Sequence, residues 1–265
     1  MSHQPALGQQ DRQPDPLRGG NPFGLIEALI GFALAEVLAG VLVALYSAAR
    51  GHAVSAHSFG ALIVDLIGVW VGFFGACVVA SLAFRRRRGV HGKRLWPTLR
   101  RDYGLAIRLW PDVPLGIALG AGSQYLLVPA LEAPLLPFVP HLYERLGNPA
   151  HQITGQTHGA GLVVLALFLC LGSPFFEELF FRGLVLRGIV GRFEQHGRRL
   201  AEGIGVVGSG LLFGLAHFEP LQFLALFGFG VVLAVLARRT GRLGPGIVAH
   251  SAFNAVTVIA IAIAR

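Results

Sequence analysis

The sequence predicts an all-α membrane protein, a polytopic bundle of about seven transmembrane helices. Three observations carry this reading. The 265 residues are 54% hydrophobic and only 14% charged, against about 25% charged in an ordinary soluble domain. Mean hydropathy is +0.62. The apolar residues come in runs of about 20, the length that crosses a hydrocarbon core of about 30 Å.

In chain order, residues 1–22 are polar and rich in Gln, Pro, Gly and Asp. They read as a disordered cytoplasmic tail, without the apolar core and small-residue cleavage site of a signal peptide. Residues 23–265 read as a single transmembrane domain. Its first span, Phe23–Ala48, is too long for a cleavable apolar segment and is expected to stay as an anchor. Gly60–Phe84 is next. The stretch LWPTLRRDYGLAIRLWPDVP then mixes Trp96, Leu99, Tyr103, Leu105, Ile107 and Trp110 with arginines, a composition suited to lying along the lipid interface. Further spans follow at Val113–Leu131, Gly159–Leu186, Gly203–Phe218, Leu221–Ala237 and Gly244–Ala264.

The formal net charge of +8 is concentrated in clusters. Arg85, Arg86, Arg87, Arg88, Lys93, Arg94, Arg100, Arg101 and Arg108 follow the second span. Arg187, Arg192, Arg198 and Arg199 follow the fourth, and Arg238, Arg239 and Arg242 the sixth. All fall on one side of the alternation, while Glu132–His158 on the other side carries only Arg145. The positive-inside bias then puts the N-terminus in the cytoplasm and the C-terminus outside, in the plasma membrane. With the basic residues so accounted for, no nucleic-acid partner is expected; the lipid bilayer is. Cys77 and Cys170 both fall within spans and read as buried packing residues.

Ionisable groups inside spans are expensive and default to functional candidates. The fourth span carries Glu177, Glu178 and Arg182. Glu178 and Arg182 are four apart and share a helix face, so they can pair. Glu177 is turned by about 100° and is free to face the bundle. A carboxylate in a low-dielectric pocket suits general acid or base work. Downstream, Phe213 and His217 close the fifth span, and His250 and Asn254, again four apart, open the seventh. Counted from the basic helix ends, Glu177 lies about 15 Å deep, His250 about 12 Å and His217 about 22 Å. For His217 to join the others, the fifth helix is expected to tilt or break; its glycines and Pro220 permit this. Gly210 and Gly214 form a GxxxG pair suited to close helix approach. Glu36 and Asp65 read as helix-packing partners or neighbours of a water-filled cavity, and Ser173 as a partner for backbone freed by Pro174. The chain has no GxSxG, HExxH or CxxC, the signatures of an elbow serine hydrolase, a zincin and a redox pair.

These three motifs, Glu177-Glu178-x-x-x-Arg182, Phe213-x-x-x-His217 and His250-x-x-x-Asn254, resemble those of the CPBP family, the CAAX proteases and bacteriocin-processing (Abi) enzymes, over roughly residues 159–264. The resemblance implies an intramembrane glutamic endopeptidase acting on a peptide or protein substrate in or at the membrane. In it Glu177 with His217 activates a water, His250 and Asn254 stabilise the oxyanion, and Glu178 with Arg182 shapes the site. It leaves metal dependence open. Zinc is the cofactor a Glu178, His217 and His250 trio would take, although the spacing lacks the tight His pair of HExxH sites, which favours a metal-free site. The depth of the acids suggests that substrate arrives from the basic side or laterally from lipid.

Two other classes compete. A proton-coupled transporter uses the same residue types, but would be expected to show repeated broken helices, and the first half has no counterpart of the Glu177 motif. A non-catalytic immunity or scaffold protein of the same fold would have no need for all of Glu177, His217, His250 and Asn254.

Overall fold

The computed structural model describes residues 24–87, 95–147 and 157–263. The expected tail at 1–22, the terminal residues Phe23 and Ala264 of two expected spans, Arg88, Lys93, Arg94 and residues 148–156 lie outside the described residues. The described residues contain helices and no strands. In order they are α1 (Gly24–Ala49), α2 (Phe59–Arg87), α3 (Leu95–Asp102), α4 (Leu109–Leu135), α5 (Ala160–His196), α6 (Arg198–Leu215), α7 (Phe223–Thr240) and α8 (Gly244–Ile263). A short helix at 142–147 lies between α4 and α5.

Six of these, α1, α2, α4, α5, α7 and α8, are long and apolar enough to cross a membrane, so the protein is an integral membrane protein. The expected all-helical bundle is present, and the difference from about seven spans lies in α6. That helix begins with Arg198 and Arg199 and carries Glu202 in its second turn. Its charged start shortens the apolar run, yet it packs lengthwise along α7 through Gly210 and Gly214.

The helix pairs are built as lipid demands. Since lipid tails are as apolar as leucine, large apolar side chains gain little by turning inward, and small residues that let backbones approach make the contacts. On α1 the buried residues are Gly24, Ala28, Gly31, Ala35 and Ala39, whereas Ile26, Leu29, Ile30, Leu34 and Val37 are exposed. A Cβ on Gly68 or Gly72 of α2 would lie 2.6 Å or 2.4 Å from the Cα atoms of Ala39 or Ala35. The expected Gly210 and Gly214 contact is present: Cβ atoms there would stand 3.0 Å and 3.1 Å from the backbone nitrogens of Val231 and Phe227. A third pair, Gly116 and Gly120 of α4, meets α8 at Val248 and Ala249.

The basic helix ends gather at one end of the bundle. Asp102 at the end of α3 accepts Arg85 of α2 in a two-pronged ion pair at 2.9 and 3.0 Å and Ser81 Oγ at 2.5 Å, and its backbone carbonyl accepts Arg187 of α5. Arg242 pairs with Asp112, and Glu202 of α6 takes Arg198 and Arg238. Cys77 is buried, with its Sγ–H toward the Leu179 carbonyl at 3.6 Å, and Cys170 is half-buried; neither is in a disulfide.

Candidate active site

Helix α5 crosses the centre of the bundle and departs twice from regular α-geometry, with π-helical turns at Phe168–Gly172 and Glu178–Val185. Such one-residue insertions are frequent at functional sites. Glu177 and Glu178 lie between and within them. From Glu178 to Val185 every side chain is buried, with Phe180 stacked on Phe73 at 4.1 Å and Phe181 edge-on to Phe213 at 5.4 Å. The half of α5 toward the arginines is therefore solidly packed.

Glu178 and Arg182 pair as the four-residue spacing predicts: Arg182 Nη1 donates to Glu178 Oε1 at 2.8 Å, and both side chains are fully buried. Arg182 Nη2 donates to the Gly230 carbonyl at 3.0 Å, and the guanidinium lies 4.4 Å from the Phe213 ring centre. This is a charge whose donors are shared among a carboxylate, a carbonyl and a π-face, as burial demands. Gly246 of α8 makes room for the pair, because a Cβ there would stand 2.9 Å from Glu178 Oε2.

His250 sits between the two acids. Its Nδ1 is 3.2 Å from Glu178 Oε1 and its Nε2 is 3.9 Å from Glu177 Oε2. Because a carboxylate accepts, Nδ1 carries the proton, and Nε2 gains one only in the imidazolium. The resemblance makes His250 an oxyanion donor; here its Nδ1–H is spent on Glu178. Asn254, one turn further along α8, donates from Nδ2 to the Leu169 carbonyl at 2.8 Å. Leu169 lies in the first π-helical turn, so one of the two amide N–H groups of Asn254 holds that bulge and one remains.

His217 stands just beyond the end of α6, in a turn closed by Phe218 at a positive φ of 53°. Its Nδ1 is 2.8 Å from the Phe213 carbonyl. A carbonyl can only accept, so Nδ1 is the protonated nitrogen of the neutral ring and Nε2 keeps its lone pair. Phe213 also packs edge-on against the rings of His217 at 4.7 Å and His250 at 5.5 Å, which ties the second motif to the third. Of the expected tilt or break, the break is not found: α6 is unbroken from Arg198 to Leu215.

Glu177, His217, His250 and Asn254 line one cavity of about 320 Å³, with Ser173, Gln222 and Thr257 as further polar walls. Glu178 and Arg182 lie behind it. Its other walls, including Leu66, Leu169 and Ile261, lie on the side of Glu177 away from the arginine ends. That accounts for His217 joining without a break in α6. The buried run Glu178–Val185 fills α5 on the side toward the arginines. A second cleft, of about 160 Å³ between α1, α5 and α6, is lined by Phe32, Phe180, Leu212 and other apolar residues with no ionisable side chain.

Sequence reasoning missed Thr257, Gln222 and Gly246. Thr257 was within reach of a helical count, since it follows His250 by seven and Asn254 by three on the same face. Gly246 carries no signal until Glu178 is known to face it.

The zinc alternative requires Glu178, His217 and His250 to converge. Among the described residues, no group of three or more His, Cys, Asp or Glu side chains stands where it could hold a metal ion. Glu178 Oε1 takes the Arg182 guanidinium and the His250 Nδ1 proton. As arranged, these side chains do not fit a metal.

Fold and site together define an integral membrane protein that encloses an ionisable cavity of carboxylate and imidazole groups. Residues 159–256 match the family model described as Type II CAAX prenyl endopeptidase Rce1-like. That segment holds Glu177, Glu178, Arg182, His217, His250 and Asn254, the residues of the three motifs, while the cavity walls Leu66, Thr257 and Ile261 lie outside it, and the match supports a membrane endopeptidase. No curated protein and no solved structure matched the chain.

Proposed function

We propose that the protein is an intramembrane glutamic endopeptidase of the plasma membrane, N-terminus in the cytoplasm, that hydrolyses a peptide bond of a membrane-associated substrate with a water activated by Glu177 and His217. The observation that carries this reading is the shared cavity. Glu177 and His217 both line it, and Glu177 Oε2 is buried with no hydrogen-bond partner among the described residues. A buried unpaired oxygen in a roomy cavity with several polar side chains in its wall is a place for water.

In this reaction Glu177, assisted by Nε2 of His217, takes a proton from water as the oxygen attacks the scissile carbonyl. The remaining Asn254 N–H supports the developing oxyanion. The proton then passes to the leaving amine as the C–N bond breaks, and the products are a carboxylate and an amine. His250, held on Glu178 through Nδ1, stands 3.9 Å from Glu177 Oε2, and the Glu178–Arg182 pair packs behind it. Every step uses protein groups alone.

The test is cleavage of a panel of membrane peptides by protein reconstituted in liposomes, with Glu177→Ala and His217→Ala as controls, alongside an ion-flux assay on the same vesicles. Cleavage abolished by both substitutions supports the reading. Cleavage that survives both removes it, and ion flux without cleavage moves the site to a transporter.

A further inference from the structure

A second functional feature lies at the arginine-rich end, remote from the cavity and independent of the proteolytic reading. Helix α3 is pinned on its inner side by buried Leu99 and by the Asp102 contacts to Ser81, Arg85 and Arg187. On its other side Trp96, Pro97, Arg100 and Arg101, with Leu105 and Ala106, wall a cleft of about 370 Å³. Arg100 Nε donates to the Leu105 carbonyl at 3.2 Å, which sets its guanidinium at the cleft wall. Trp96 is 53% exposed.

Two arginines next to the exposed indole of Trp96, at one end of a membrane bundle, call for a ligand that is anionic at one end and apolar at the other. A free anion would satisfy the guanidinium groups and leave the Trp96 ring in water. A zwitterionic headgroup brings its own cation to compete with them. We propose that this cleft binds the phosphate of an anionic phospholipid headgroup, with Arg100 and Arg101 on the phosphodiester and Trp96 at the glycerol level, where indole rings settle. Arg85, Arg86 and Arg87 in the last turn of α2 raise the positive potential of the same end. Anchoring by Asp102 makes α3 a rigid shelf at a fixed depth, so the site is preorganised.

Native mass spectrometry of the full-length protein, released from detergent micelles containing equal phosphatidylglycerol and phosphatidylcholine, tests this. The unaltered protein is expected to retain phosphatidylglycerol in preference to phosphatidylcholine. Arg101→Gln is expected to lower the preference about fivefold, the share of one arginine near a lipid surface. Arg100→Gln with Arg101→Gln is expected to abolish it, and Arg101→Lys to keep most of it. Should the double variant fail to fold, the single Arg101→Gln decides. Equal retention of the two lipids by the unaltered protein, unchanged preference in Arg101→Gln, or displacement of the lipid by millimolar inorganic phosphate would each overturn the proposal, the last by making it a free-anion site.

Discussion

Arg182 reaches back one helical turn to Glu178, 2.8 Å away, with neither side chain exposed at all. Removing one partner of such a pair leaves the other charge buried alone, which costs about 3–5 kcal/mol. Arg182→Met is therefore expected to lower the thermal unfolding midpoint in detergent sharply. Glu178→Gln combined with Arg182→Met removes both charges and should recover part of the loss. A single variant as stable as the unaltered protein would contradict the pairing.

Asn254 is expected to act on structure as well as chemistry. Without its Nδ2 bond, the Leu169 carbonyl is left unpaired inside the bilayer, at a cost of about 1–3 kcal/mol. Asn254→Ala should thus lower both the unfolding midpoint and the cleavage rate, while Asn254→Gln, which keeps the amide, retains more stability than the alanine variant. An alanine variant with full stability and impaired cleavage would confine Asn254 to the reaction.

The contact between α4 and α8 offers a paired test. A Cβ on Gly120 would lie 2.1 Å from the Ala249 carbonyl oxygen, backbone that cannot step aside, whereas nothing lies within 4 Å of a Cβ on Gly122. Ala249 adjoins His250, so Gly120→Ala is expected to push α8 outward, destabilise by about 1–3 kcal/mol and reduce activity. Gly122→Ala should be silent in both the melting and the cleavage assay.

Asp102 gives a pH dependence outside the membrane spans. Burial pushes its carboxyl upward, but the hydrogen bonds from Arg85 and Ser81 and the charges of Arg85 and Arg187 prevail and hold it below the usual carboxylate range. A group whose folded pKa is depressed contributes stability above its unfolded value, near 3.9, and loses it as pH falls through the folded value. Asp102→Asn should therefore destabilise at neutral pH. The gap between the two proteins, followed by unfolding midpoint against pH, should close below about pH 4.

How far the chain could be read in advance depended on how local each signal was. The spans were legible because hydropathy over 20 residues is a bulk property, and the Glu178–Arg182 pair because it is settled within one turn. The charged start of α6 is equally plain in Arg198, Arg199 and Glu202, but the apolar run after it dominates a hydropathy count. His250 facing Glu178 and Asn254 reaching Leu169 join α8 to α5 across more than 70 residues, and no spacing rule reports that. The π-helical turns of α5 have no compositional mark. Gly116 and Gly120 are a GxxxG pair as plain as Gly210 and Gly214, yet only the structure identifies α8 as their partner.

The account rests on Glu177 and His217 acting as one unit on one water. The most direct measurement is a double-mutant cycle in reconstituted protein, comparing kcat/KM for cleavage by the unaltered protein, Glu177→Gln, His217→Ala and the double variant. Each single substitution is expected to cost about 10²- to 10⁴-fold, and the double no more than the worse of the two, because groups that act together are lost together. Losses that multiply in the double variant, or either single variant cleaving at the unaltered rate, would contradict it.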